Sequence, residues 1–447
     1  MTFYSHQFFL FAAGAWAAFW LAPARFRWAI LLACSYWFCL CLGWRATALL
    51  LAVSLASYLL GLSIAGVRES RRFSVLSLGI VADVLARVMV KYVRHGWVAA
   101  AGVSFYVFQS LSYLIDIYLE RIPAERHLGR FLLYLAFFPK LMQGPIERAE
   151  DLLPQCQAAG RFDRGRMIEG VQLVILGLFK KAVIADRLAF LANAVFDKID
   201  GHGGVTLLIG LYAYCLQLYL DFSGYTDVAR GVGKLFGIEL RENFNQPFLA
   251  TTVPDFWRRW HMSFTAWLRD YLFTPIMAQL RALGTTAVII AAMTTFVVCG
   301  LWHGAGWGFL IFGALHGVYV SVSLLTLKKR DLFLSRAHIP EAAVLWARRV
   351  VTFHLVAAAF VFFRCASLGD AAYFFSHLWS GGNSSIILRT FSPIELGILG
   401  LSLLGLGFGR SLRPMLLRYP ALFWAVLANA VIFLGIKSDA PFLYFRF

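Results

Sequence analysis

Residues 287–304 read AVIIAAMTTFVVCGLWHG, an apolar run whose only polar breaks before its end are Thr294 and Thr295, and which closes on His303. A helix needs about 20 mostly apolar residues to cross the roughly 30 Å hydrocarbon core of a bilayer. An ionisable side chain at that depth is costly, so it reads as functional by default. The competing reading is a histidine satisfied by hydrogen bonds between helices. Gly300 and Gly304 allow backbone or substrate to approach closely, and Trp302 and Trp307 are placed to line a pocket.

The same pattern extends over the chain. Of its 447 residues, 60% are hydrophobic and 15% charged, whereas soluble domains run at about 25% charged and roughly 45–50% apolar. Apolar runs cover about 8–23, 28–44, 46–66, 74–90, 97–119, 167–195, 204–220, 285–302, 307–327, 350–363, 394–409 and 420–436. They predict an all-α, polytopic transmembrane helical bundle of about 10–12 spans. It is expected to form one domain over 1–447, with a catalytic core at about 100–320 and C-terminal helices at 345–447. Two stretches, 131–160 and 221–280, are too polar to span and too apolar for free loops. Irregular backbone survives at membrane depth only where protein or a water-filled cavity satisfies it. Re-entrant segments around a central tunnel are therefore expected there.

The net charge of +17 would suit nucleic acid, but no nucleic-acid motif accompanies it. Basic residues flanking spans meet anionic membrane lipids instead. Arg25 and Arg27, then Arg68, Arg71 and Arg72, then Arg121, Arg126 and Arg130 mark alternate loops. The positive-inside rule then puts the amino terminus outside, with Lys91 and Arg94 on the opposite side. The segment from Lys328 to Arg349 reads as an amphipathic interfacial helix. The start lacks the basic region of a cleaved signal peptide, so 8–22 is expected to stay as a helix. Seven cysteines lie mostly inside apolar runs, where thiols pack as small hydrophobes; their spacing matches no common zinc signature.

Three of the ten histidines, His261, His303 and His316, cluster within residues 261–316. A neutral imidazole can accept a proton near neutral pH, which attack of a hydroxyl on an ester or thioester requires. His303 is the candidate base. His261 sits in a charged stretch with Asp255, Arg258, Arg259, Arg269 and Asp270 that reads as a rim. On one straight helix His316 would face about 220° away from His303, which makes it the weaker candidate. No H-E-x-x-H or nucleophile-elbow pattern occurs, and no metal or bound cofactor is expected. Asp221, in the stretch 217–227 (QLYLDFSGYTD), needs a partner at the membrane boundary, and an arginine from 258–269 is the expected one. Residues 242–247 read as a polar turn entering a helix near Val253, with Asp255 as its cap.

At this point the chain resembles the membrane-bound O-acyltransferases, and in particular their bacterial branch of alginate O-acetylation and teichoic-acid D-alanylation. The matching blocks are Gly102 to Tyr106 with Tyr113 to Asp116, Phe137 to Lys140 with Gly144 to Ile146, and Tyr219 to Tyr225. They continue with Glu242 to Asn245, Asp255 to Ser263 running on to Trp267 to Tyr271, Gly300 to Gly304, and Phe442 to Phe447. The resemblance implies a helical ring around a tunnel, with an acyl thioester donor (acetyl-CoA or an acyl carrier protein) on the cytoplasmic side. It also implies a multi-pass location in the bacterial inner membrane. By match, His303 is the family's invariant histidine and His261 its second, cytoplasm-side one. Asp221, Tyr225, Asn243, Trp257, Arg258, Arg259, Trp302 and His316 are candidates for binding substrate or lining the tunnel. Relatives show Pro-Leu followed by Gly-Gly-Asn-Arg after the 271–273 block, whereas this chain has Pro275-Ile276-Met277-Ala278. That departure bears on the acceptor and not on the reaction type.

The expected function is transfer of an acyl group, acetyl by resemblance, to a hydroxyl of an extracytoplasmic polysaccharide or to a partner acyl carrier. A periplasmic acyltransferase partner protein is the implied recipient, and no nucleic acid is involved. The rival class is a transporter or flippase for a glycan or its precursor, which would also line a path with charge. A single general base between glycines separates the two, because transport has no use for one.

Overall fold

The computed structural model describes residues 5–90, 102–157, 160–336, 339–381, 385–407 and 420–436. All regular elements among the described residues are helical. Six helices among the described residues are long and apolar enough to cross a membrane: Ala24–Leu42, Trp44–Gly66, Gly204–Leu235, Thr285–His303, Trp307–Arg336 and Glu341–Arg364. Large apolar side chains such as Trp44, Phe73, Leu401 and Phe433 stand exposed, which suits lipid and not water. The architecture is that of a multi-pass membrane protein.

The other apolar runs form shorter or more charged helices. The first, α1 (His6–Leu21), is followed by α2 (Arg27–Leu42), α3 (Trp44–Gly66), α4 (Glu69–Val88), α5 (Val103–Tyr118), α6 (Leu128–Ala136), α7 (Ala149–Gln157) and α8 (Arg164–Leu178). The run at 167–195 is not one helix: α8 gives way to a π-helical turn, Phe179–Ala185, and then to α9 (Asp186–Phe196). In contrast, α10 (Gly204–Leu235) continues unbroken through the expected end of its span. The polar QLYLDFSGYTD stretch therefore lies within a helix, with Asp221, Ser223, Thr226 and Asp227 all buried. Lys91, Arg94, the first residues of the 97–119 run and the Phe442 to Phe447 block lie outside the described residues.

Contacts divide the chain into two compact units, one holding the described residues through Leu178 with Gly224–Glu242, the other holding Phe179–Ser223 and those from Asn243 onward. In the first unit, α2 to α6 pack on one another. The expected irregular stretch is present between α6 and α7, and residues 137–148 are buried throughout. Its polar groups are met internally. Lys140 Nζ donates to Gln109 Oε1, Tyr134 Oη donates to the Gln109 and Glu147 carbonyls, and the Arg241 N–H donates to Glu147 Oε1 at 2.8 Å. Burial of both groups drives Lys140 down and Glu147 up.

The second unit is built on a helical hairpin, α14 (Thr285–His303) and α15 (Trp307–Arg336), with α16 (Glu341–Arg364) against α15. Short α11 (Val253–Arg259), α12 (Met262–Leu268) and α13 (Thr274–Gln279) precede it. Residues 328–336 simply extend α15, and α16 opens at Glu341, so the stretch from Lys328 to Arg349 is two helix ends and not one interfacial helix. The hairpin closes at Gly300 and Gly313. A Cβ on Gly300 would strike the Phe309 carbonyl, and one on Gly313 the Phe296 carbonyl. Small residues at such a crossing let helix backbones touch, the usual means of association where lipid removes the hydrophobic drive.

Gly300→Ala should therefore lower thermal stability in detergent by about 1–3 kcal/mol. Gly14→Ala, in α1 with no atom near the added methyl, should be neutral or stabilising by up to about 1 kcal/mol. Equal melting shifts for the two variants would contradict the crossing.

Candidate active site

The site residues of the second unit gather where α11 turns into α12. Thr252 caps α11, accepting from the Asp255 N–H at 3.1 Å, and Asp255 Oδ2 accepts in turn from the Thr251 N–H at 3.2 Å. The cap is thus Thr252, with Asp255 as its reciprocal partner. Arg259 pairs with Asp255 at 3.1 Å and the largely exposed Arg258 at 3.9 Å. These residues form the rim that the sequence suggests, but His261 leaves it.

His261 takes a left-handed backbone, φ 43°, between the two helices, a conformation uncommon for any residue but glycine. That turn carries the ring inward, and only 2% of the residue is exposed. The rim placement of His261 is corrected accordingly. The segment Asn243–Asn245 lies alongside the turn, held by Asn245 N–H to the Arg259 carbonyl and Met262 N–H to the Asn243 carbonyl, each at 2.9 Å. Asn243 Oδ1 receives the Ser263 N–H at 3.1 Å and the Ser263 hydroxyl at 2.9 Å. His261 Nδ1 lies 3.1 Å from the same oxygen. An amide oxygen only accepts, so Nδ1 is the donor and Nε2 holds the lone pair. Burial pushes the His261 imidazole down to about 3, which leaves the ring neutral at physiological pH.

His303 ends α14, with Gly304 beyond it in extended backbone. Its ring lies 4.6 Å from Trp302 and 4.9 Å from Phe363, between centroids. Phe264 and Trp302, 4.4 Å apart, stand between the two histidines: Phe264 is 5.0 Å from His261 and 6.5 Å from His303, while Trp302 is 6.3 Å from His261. His303 and His261 therefore share an aromatic wall.

The chain breaks at Gly304 before α15, so His303 and His316 lie on separate helices and the angle for one straight helix does not apply. Both rings touch Phe312, at 6.0 and 4.6 Å. His316 is fully buried, and its Nδ1 accepts from Trp257 Nε1 at 3.1 Å. That pairing fixes Trp257 and His316 as packed neighbours behind the wall. Tyr225, wholly buried, belongs to the first unit.

Asp221 does not reach the arginines of 258–269. It pairs with Lys181 at 2.6 Å, and Lys181 also holds Asp186 at 2.8 Å, with all three side chains nearly enclosed. The next residue, Phe222, sets its ring 4.8 Å from His261. Lys181, Phe264, Phe312 and Phe363 escape the sequence reading. For Lys181 a signal exists, since a lysine inside an apolar run invites the same question as His303. The phenylalanines give none among the 41 in the chain.

A family model for the membrane-bound O-acyltransferases matches residues 120–362. A probable alginate O-acetylase of Azotobacter vinelandii is 36% identical over 409 residues, covering 86% of this chain and 79% of that protein. The chain belongs to the membrane-bound O-acyltransferase family. Further relatives of this acyltransferase are a peptidoglycan O-acetyltransferase of Helicobacter pylori, 33% identical over 60% of this chain and 55% of its own, and a teichoic acid D-alanyltransferase of Bacillus subtilis, 29% identical over 51% and 59%. Family membership makes the chain an O-acyltransferase and sets aside a transporter without chemistry.

Lys181→Met would leave two carboxylates buried without their cation. It should destabilise the acyltransferase in detergent by about 3–5 kcal/mol. Asp331→Asn, which breaks the exposed pair with Arg348, should cost at most about 1 kcal/mol. Similar melting temperatures for the two variants would show that the buried triad is not needed for the fold.

Proposed function

We propose that this acyltransferase moves an acyl group, acetyl in the simplest case, from a cytoplasmic thioester to an extracytoplasmic hydroxyl, with His303 as general base. The supporting observation is the placement of His303 at the end of a membrane-crossing helix, nearly enclosed and sharing the Phe264–Trp302 wall with His261. The hydroxyl oxygen attacks the thioester carbonyl as His303 takes its proton. The tetrahedral intermediate collapses, the C–S bond breaks, and the thiolate leaves with the proton returned by His303. Acyl thioester and alcohol thus become ester and thiol, in balance.

His261 has a different task in this reading. Burial holds the His261 imidazole below its ordinary value, which weakens it as a proton acceptor. Its neutral ring, fixed by Asn243, instead shapes the apolar side of the site. Trp302 and Asn243 support that geometry. Trp257 and His316 brace it from behind, and the rim residues Arg258 and Arg259 offer charge to a phosphate-bearing donor such as acetyl-CoA or an acyl carrier protein.

The proposed acceptor is an envelope glycan, in keeping with the alginate, peptidoglycan and teichoic acid of the relatives' names; we further propose that it is reached directly or through a periplasmic acyltransferase partner, with the bacterial inner membrane as location. Asp221 belongs to the buried triad beneath Phe222, so its contribution is to position that ring. Tyr225 is assigned to the tunnel lining only by its place in the family block.

His303→Gln should insert and melt like the wild type yet reduce acyl transfer by about 10²–10⁴, because an amide cannot take up the proton. His261→Gln should fall less far, and His316→Ala least. The readout is ester-linked acyl content of envelope polysaccharide by mass analysis, alongside melting of each purified protein. Near wild-type transfer by folded His303→Gln would remove the base from the reading.

A further inference from the structure

A cavity in the same unit is lined by α15, by α16 and by Thr251, Thr252 and Val253 at the start of α11. It occupies about 370 Å³ along α15 and α16 and opens to the surface. Its walls include Val322, Leu327, Val351 and Leu355, and two guanidinium groups, Arg330 and Arg348, also line it. Val322 and Val351 are themselves more than half exposed, so the groove faces the same surroundings as the outer face of the bundle.

Three observations say what fills it. The first is length: the lining on α15 runs from Tyr319 to Leu334, a rise of roughly 22 Å at 1.5 Å per residue, close to the roughly 20–22 Å of one leaflet with its headgroup region. The second is charge. Residues 328–331 and 348–349 carry Lys328, Lys329, Arg330, Arg348 and Arg349 against the one acid Asp331. Asp331 engages Arg348 at 2.6 Å, which leaves a positive surplus at this end. The third is the posture of Arg330. It bends back along its helix, with Nη2 3.2 Å from Ser323 Oγ, so its head lies over the groove and not out in solvent.

We propose that this groove is a binding site for one anionic phospholipid, with an acyl chain along Val322, Leu327, Val351 and Leu355 and the phosphate at Arg330 and Arg348. A coenzyme A phosphate would also find two arginines here, but the apolar walls open toward lipid favour a chain that arrives from the bilayer. The bound lipid staples the basic end of α15 to that of α16. The inference does not depend on the role of His303.

The full-length protein is reconstituted in nanodiscs of phosphatidylcholine with phosphatidylglycerol in equal parts, extracted gently, and weighed by native mass spectrometry. The wild type should retain one phosphatidylglycerol in preference to phosphatidylcholine and should melt higher than in phosphatidylcholine alone. Each arginine near a headgroup is worth about 1 kcal/mol, so Arg330→Gln with Arg348→Gln should weaken retention about thirty-fold. Val322→Trp, which fills the groove without touching charge, should also release the lipid. Arg68→Gln with Arg71→Gln, basic but outside the groove, should keep it. Equal retention by the double-arginine variant, or displacement of the lipid by added coenzyme A, would overturn the proposal.

Discussion

One carbonyl oxygen sets the form of the histidine site. Asn243 Oδ1 takes a backbone N–H, a hydroxyl and an imidazole N–H within 3.1 Å, and no other side chain of that size could accept three donors without carrying charge. It holds His261 in a left-handed turn that a histidine would not adopt unaided. The cost of that backbone, about 1–3 kcal/mol, is offset by the hydrogen bonds it brings together. With the ring fixed, Phe222, Phe264 and Trp302 can pack on it, and through Phe264 and Trp302 the site continues to His303.

The surrounding bilayer explains why so many polar groups are handled in this way. Without water to satisfy them, charges and amides inside the bundle must be met by protein. Lys181 is enclosed between Asp186 and Asp221, Asp83 accepts from Ser110 at 2.6 Å, and Trp257 donates to His316. The π-helical turn at 179–185 falls where Lys181 turns to its acids, and widened turns of this kind often accompany functional positions. The two histidines differ in setting: His261 is fixed by Asn243 between two short helices, whereas His303 ends α14 just before Gly304.

Much of this was legible in the residues. The composition and the lengths of the apolar runs mark the helical membrane class, and the order of blocks from Gly102 to Gly304 identifies the family. His303, His261, Asn243 and Trp302 come together as their motifs suggest. Other features depend on three-dimensional partners. Asp221 pairs with Lys181, forty residues earlier, which lies in the π-helical segment Phe179–Ala185. His261 turns inward because of a single φ value that no local propensity reveals. Among the described residues six helices meet both length and apolarity, and runs such as α1, at 16 residues, and 167–195, crossed by a π-helical turn, do not.

The central claim is that the Asn243 acceptor, and not merely the presence of two histidines, makes the site competent. It is tested by the rate of acyl transfer from a thioester by purified, reconstituted Asn243→Asp and Asn243→Leu proteins. Aspartate keeps an oxygen for His261 and Ser263, and hydrogen-bonded carboxylates tolerate burial when several N–H groups meet them. The account predicts that Asn243→Asp retains measurable transfer while Asn243→Leu, of similar size but with no acceptor, loses it with His303 intact. Wild-type transfer by a folded Asn243→Leu protein would contradict the account.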